Sequence, residues 1–170
     1  MKTATSTALT VAGFDPSGGA GLQADLKTFS AFGVSGKSVA TSITIQSTLG
    51  VEGLHNISPD VVEQQLRAIF RDGKPGAVKT GMLGNESIVE TVVRVLRRHR
   101  IKKIIVDPVI YSSSGKSLLS ELGIQVMKEE LLPVTFLLTP NLKETEILSG
   151  VKIRQPSDRI RAARVLMKMG

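Results

Sequence analysis

The stretch ALTVAGFDPSGGAGLQADLKTF, residues 8–29, decides how the rest of the chain is read. An apolar run from Ala8 to Ala12 ends in a glycine-rich loop carrying one acidic residue, Asp15, and helical spacing begins near Gly21. Strand, glycine turn and helix in that order form the opening unit of an alternating α/β chain. The alternation continues. SVATSITI (38–45) reads as a β-branched strand, and QSTLGVEGLHNIS (46–58) as a small hairpin or flap. Ser58-Pro59-Asp60 starts a helix to about residue 72, with proline in the first turn and an acid near the positive end. AVKTGML (77–83) is a short strand, and Asn85 caps a helix over 86–99. KIIVDPV (103–109) is a strand, 119–131 a helix, TFLLT (135–139) a strand, and PNLKETEILSG a helix ending on Gly150. A last helix is predicted over 156–169.

This order predicts a three-layer αβα fold around a mainly parallel sheet, formed as one domain over residues 1–170. Ligands of such sheets sit beyond the carboxyl ends of the strands. The polar and glycine-rich motifs fall there: Gly13–Gly21, Gln46, Lys79–Gly84, Asp107–Pro108 and Pro140–Glu144.

Composition bounds the chemistry. With 41% hydrophobic and 22% charged residues the chain is ordinary for a globular protein. It has no cysteine, which excludes disulfides, cysteine-ligated zinc and a thiol nucleophile within these residues and suits a reducing cytoplasm. MKTATSTALTVAG does not read as a signal peptide, and no apolar run approaches a membrane span. The net charge of +7 resembles a nucleic-acid signal until it is located. RVLRRHRIKK (94–103) and residues 151–170 carry much of it, on the polar sides of helices whose other sides hold Ile88, Val92 and Leu96, or Ile160, Ala163 and Met167. A solvated helix face is the reading adopted. One Tyr and no Trp leave little surface for stacking bases, so neither nucleic acid nor membrane is expected as a partner.

The glycine loop is neither a Walker A loop nor a G-x-G-x-x-G fingerprint. Gly18, Gly19 and Gly21 allow close backbone approach to a ligand, with free amides expected at the helix start. Asp15 beside them repels phosphate, and Asp25, one turn beyond Gly21, can point back to the same place. A tight turn with Asp15 as a local cap explains the loop equally well. Asp107 ends a buried strand, where a carboxylate is costly unless paired or bound to a metal. Asn141 and Glu144 read as a helix cap, or, together with Asp107, as a holder of Mg²⁺ and its waters. Lys79 is placed to approach an anion. His55 and His99 suggest no site.

Five motifs occur in order: AGFDPSGGAGLQADLKTFSAFGV (12–34), KTGMLG (79–84), VDPV (106–109), SSSGKSLL (112–119) and TPNLKETEIL (139–148). Together the chain resembles the hydroxymethylpyrimidine/phosphomethylpyrimidine kinases of thiamine biosynthesis, within the ribokinase-like superfamily. The resemblance implies ATP-dependent phosphorylation of a pyrimidine alcohol and then of its monophosphate, with Mg²⁺ as cofactor. It implies substrate contacts at Gly13, Asp25, Gln46, Met82 and Val109, and ATP and Mg²⁺ handling at Asp107, Asn141 and Glu144. Asp107 and Glu144 would hold the metal through water. A homodimer in the cytoplasm is the expected form.

The family's catalytic signature, a Gly-Thr-Gly-Cys or Gly-Thr-Gly-Asp turn, does not occur in this sequence. The catalytic group is therefore expected beyond Gly170, the chain is expected to be the first two-thirds of such a kinase, and its sheet is expected to have an open edge. The competing readings are a pyridoxal kinase and a non-catalytic pyrimidine-binding module completed by a partner chain.

Overall fold

In a computed structural model that describes residues 6–170, the chain folds around one six-stranded sheet. Residues 1–5, part of the stretch read as lacking a signal peptide, lie outside the described residues. The elements run β1 (Thr7–Phe14), α1 (Gly21–Ala31), β2 (Ser35–Ser47), β3 (Gly50–Asn56), α2 (Pro59–Arg71), β4 (Ala77–Thr80), α3 (Glu86–Arg98), β5 (Ile104–Val106), α4 (Glu121–Val126), β6 (Leu137–Leu138), α5 (Leu142–Ser149) and α6 (Pro156–Leu166). The strand order is β3-β2-β1-β4-β5-β6. Every neighbouring pair is parallel except β2 and β3, which form an antiparallel hairpin: the segment read as a hairpin or flap by itself instead supplies the end of β2 and the whole of β3. Helices flank the sheet: α1 packs on β1 and β2, while α2 packs on β2 and against α3. The result is the three-layer arrangement that the alternation predicts.

Local chemistry explains most element ends. Ser58 caps α2, its hydroxyl accepting from the Val61 amide, with Pro59 in the first turn where no hydrogen bond is lost. The Asn85 side chain accepts from the Ile88 amide at 3.0 Å and starts α3. That helix buries Ile88, Val89, Val92, Val93, Val95 and Leu96 in the core, where it packs against α2 and α4, and their spacing keeps its arginines outside. Arg94 and Arg97 find partners there. The Glu63 carboxylate accepts from Arg67 at 2.6 Å and Arg94 at 2.7 Å, and Arg97 pairs with Glu130. Gly150 ends α5 at φ 72°, the left-handed position that glycine occupies without steric cost.

The C-terminal third departs from the pattern read in the sequence. The helix expected over 119–131 starts at Glu121, widens into a π-helical turn at Met127–Leu131 and tightens at Leu132–Val134, where Pro133 has no amide to continue it. The strand expected over 135–139 narrows to Leu137–Leu138, and α6 stops at Leu166. The apolar stripe assigned to α6 faces outward: Ile160 is 58% and Met167 77% exposed, while Asp158 and Ala162 turn inward. The cause is the helix start, where the Asp158 carboxylate accepts from the amides of Arg154 and Gln155 and fixes which face meets the chain. Ala163 and Met167 then line an apolar hollow of about 440 Å³ with Phe136, Leu137 and Leu142. Among the described residues strand β6 pairs only with β5 and is an edge of the sheet beside that hollow.

Replacing the α3 cap tests the local account. Asn85→Ala is expected to lower the unfolding free energy by about 1 kcal/mol in denaturant titration. An unchanged value would remove the cap from the list of stabilising contacts.

Candidate active site

The strands β1, β2, β4 and β5 end around a cavity of about 270 Å³. Gly13 and Asp15 reach it from the end of β1, Asp25 from α1, Gln46 from β2, Lys79 from β4, Met82 from the turn after β4, and Asp107 and Val109 from the turn after β5. The structure thus brings Gly13, Asp25, Gln46, Met82 and Val109 into one lining and sets Asp107 beside them. Asn141 and Glu144 are not in that lining.

The glycine loop is organised by Asp15, which is 3% exposed. Its carboxylate accepts from the Ser17 amide at 2.9 Å, the Ser17 hydroxyl at 2.7 Å, the Gly19 amide at 3.0 Å and the Ala20 amide at 2.8 Å. Burial works against ionisation, but the Ser17 hydroxyl and the Ser17, Ala20 and Gly19 amides outweigh it and hold the carboxyl below its usual range. The amides expected to be free at the start of α1 are therefore partly used within the loop, on a carboxylate instead of a phosphate. Gly21, at φ 57°, starts the helix directly over the Gly13 carbonyl, where any Cβ would collide. Gly13 has a different reason to be glycine: a Cβ there would strike the Met82 methyl, so its absence lets the thioether lie in the cavity wall.

The same cavity holds an ionic cluster. The Lys79 ammonium donates to both oxygens of Asp25, at 2.9 and 3.0 Å, and sits 3.5 Å from Asp107. The Thr10 hydroxyl, fully buried in β1, donates to Asp25 at 2.6 Å. Burial pushes the Asp107 carboxyl up; the attraction and hydrogen bond of Lys79 offset part of that, and the nearby Asp25 charge adds to the rise. Lys79 is thus engaged by carboxylates, not held ready for an anion alone. A lysine inside the short apolar strand AVKT was the signal for this cluster, since a cation there requires a counter-charge. Thr10 had no such signal in the apolar run around it. The Gln46 amide has no side-chain hydrogen bond among the described residues and faces the cavity with donor and acceptor available.

Glu144 takes up the capping role that its sequence offered. It is 3% exposed, one oxygen accepts from the Asn141 amide at 3.0 Å, and the other accepts from the Ile110 amide at 3.1 Å. The Asn141 side chain in turn accepts from the Glu144 amide at 3.0 Å. Asp107 and Glu144 therefore do not face one another as a pair of open ligands. Among the described residues no group of three or more His, Cys, Asp or Glu could hold a metal ion. No helix of the described residues is long and apolar enough to cross a membrane.

Two titrations follow from these carboxylates. The folded pKa of Asp15 is depressed, so its stabilisation is present above the unfolded value and lost as pH falls through the folded one. Asp15→Ala should cost about 1–3 kcal/mol at pH 7 through its unpaired amides, and less in acid; an equal cost at both pH values would refute the loop account. The folded pKa of Asp107 is raised, so its ionisation penalises the fold as pH climbs through that value. Asp107→Asn should stabilise the chain at pH 7, with a gain that shrinks toward pH 4, and a loss of stability at pH 7 would refute the burial argument.

The profile of the phosphomethylpyrimidine kinase family matches residues 15–170. The chain is 45% identical over 163 residues to the hydroxymethylpyrimidine/phosphomethylpyrimidine kinase of Bacillus subtilis, covering 96% of this chain and 60% of that protein. It superimposes on the crystal structure of phosphomethylpyrimidine kinase from Clostridium difficile with a TM-score of 0.91 and 40% identity, covering 98% of this chain and 72% of that one. The pyridoxal kinase of Staphylococcus aureus, solved in complex with AMP-PCP and pyridoxal, gives a TM-score of 0.87 and 35% identity, covering 99% of this chain and 60% of that one. The chain spans about 60% of the length of the hydroxymethylpyrimidine/phosphomethylpyrimidine kinases it matches. A match that runs from the Asp15 loop through the strand ends lining the cavity and on to residue 170 makes the chain a member of the phosphomethylpyrimidine kinase family.

Proposed function

We propose that the protein carrying this chain transfers the γ-phosphoryl group of ATP to 4-amino-5-hydroxymethyl-2-methylpyrimidine, and then to the resulting monophosphate, in thiamine biosynthesis. The cavity carries the proposal: it is sized for a single heteroaromatic ring and sits at the strand ends with the family's motifs around it. Gln46 offers a donor and an acceptor to the aminopyrimidine edge, and Met82 and Val109 supply apolar surface for the ring faces. Asp25, fixed by Thr10 and Lys79, is a rigid acceptor for a ring substituent. Two carboxylates around one ammonium leave the pocket net negative, which favours a ligand rich in N–H donors.

ATP as the phosphoryl donor is supported by the AMP-PCP complex of the related pyridoxal kinase. Mg²⁺ would screen the phosphates in such a transfer. Asp107, with its side chain 37% exposed, can meet a hydrated cation, whereas each oxygen of the buried Glu144 already accepts one backbone amide and keeps a second lone pair for a metal-bound water. No step is assigned to the metal on these residues. The residues of this chain bind and orient the pyrimidine; none of them is assigned as the base for its alcohol. The 170-residue chain by itself is therefore expected to bind the pyrimidine without turning over ATP.

We place the protein in the cytoplasm, as a homodimer. Phe14 and Ile43 are register partners on adjacent strands, and with Ile45 they expose one apolar face toward the β3 edge for a second copy to cover. Sedimentation equilibrium giving a monomer at micromolar concentration would remove the dimer.

Calorimetric titration of the chain with hydroxymethylpyrimidine, and separately with pyridoxal, tests the substrate. Saturable binding that favours the pyrimidine is expected, and Gln46→Ala should weaken it by about tenfold, the value of one or two hydrogen bonds. Tighter binding of pyridoxal would overturn the choice of substrate in favour of the pyridoxal kinase reading.

A further inference from the structure

Among the described residues only Arg100 and Val109 have positive φ without being glycine. Arg100 follows the C-cap of α3, where its neighbours close the helix through the bond from the Ile101 amide to the Leu96 carbonyl. Val109 has no helix end to explain its φ of 45°. A β-branched residue in the left-handed region is strained, and such strain persists only where the surrounding structure over-determines the backbone. Val109 lines the cavity, so the strain lies in the wall of the candidate site.

The backbone is held on both sides. Before Val109, the Asp107 amide donates to the Thr80 carbonyl at 2.9 Å, continuing the sheet ladder, and Pro108 restricts its own φ. After it, the Ile110 carbonyl accepts from the Leu118 amide at 2.9 Å, and the Ile110 amide donates to Glu144 at 3.1 Å. Ile110 is fully buried, so no water replaces that acceptor. Glu144 is fixed in turn by the Asn141 amide and sits at the positive end of α5. Only a side chain with two acceptor oxygens serves both amides at once.

We infer that Glu144 is a positioning residue: through the Ile110 amide its carboxylate holds Val109 in the strained conformation and thereby sets the Asp107–Val109 wall of the cavity. Its place in the sequence beside Asn141 suggests metal handling through water, and its bonds to the Asn141 and Ile110 amides make it also the brace between α5 and the pocket. The functional consequence rests on the pyrimidine reading above; the geometric one does not.

The test uses the 170-residue chain without metal or nucleotide. Glu144→Ala is expected to move the Val109 methyl signals in a carbon–proton correlation spectrum and to weaken hydroxymethylpyrimidine binding by about tenfold or more. Asn141→Ala, which removes the other half of the cap, should leave the Val109 methyls in place. A folded Glu144→Ala chain with unmoved Val109 methyls overturns the inference. Should the unaltered chain fail to bind the pyrimidine, the substrate reading falls while the methyl shift still decides the role of Glu144. Should Glu144→Ala fail to fold, hydrogen exchange of the Ile110 amide in the unaltered chain decides instead: strong protection upholds the brace, and exchange at the solvent rate overturns it.

Discussion

A buried carboxylate must be satisfied, and for that reason two of them hold segments that form or adjoin the cavity wall. Asp15 gathers the amides of Ser17, Gly19 and Ala20 and turns the glycine loop inward on itself. Glu144 gathers the amides of Asn141 and Ile110 and ties α5 to the turn after β5. Neither carboxylate has an arginine or lysine partner among the described residues. Backbone N–H groups supply the compensation instead, and such bonds to a charged acceptor are stronger than neutral ones. The loops around the site are thus ordered by their own acids, leaving the cavity between them for a ligand.

Within that cavity the charges are arranged by topology. Thr10, Asp25, Lys79 and Asp107 come from β1, α1, β4 and the turn after β5, and Asp25 and Lys79 are 54 residues apart in the chain. Parallel pairing of β1 with β4, and of β4 with β5, brings the carboxyl ends of the strands side by side. An ammonium shared by two carboxylates is held firmly to the nearer, Asp25, and loosely to Asp107, whose carboxyl burial pushes up. That asymmetry leaves Asp107 the more adaptable of the two acids.

Legibility followed the range of the interactions. The caps at Ser58 and Asn85 and the glycine stop at Gly150 depend on residues within a few positions, and each could be read from the chain. The α6 stripe could not: Ile160, Ala163 and Met167 have helical spacing, but Asp158 fixes the rotation of the helix and turns them outward. The amides of the glycine loop posed the same difficulty, since their use depends on Asp15 folding back over them. For Glu144 the motif offered a cap and a metal ligand, and the bond to Ile110, 34 residues away, was invisible.

By itself, the sequence determined the alternation of strands and helices, the parallel sheet that alternation requires, and the five strand-end motifs, because periodicity and turn chemistry are local. Its motifs also carried the family. Only the tertiary structure decided which acids meet which amides, why Gly13 yields its space to Met82, and that Val109 is strained against a brace from α5. Those depend on contacts between segments far apart in the chain, whose geometry is set when the helices dock on the sheet and bury the groups that must then find partners.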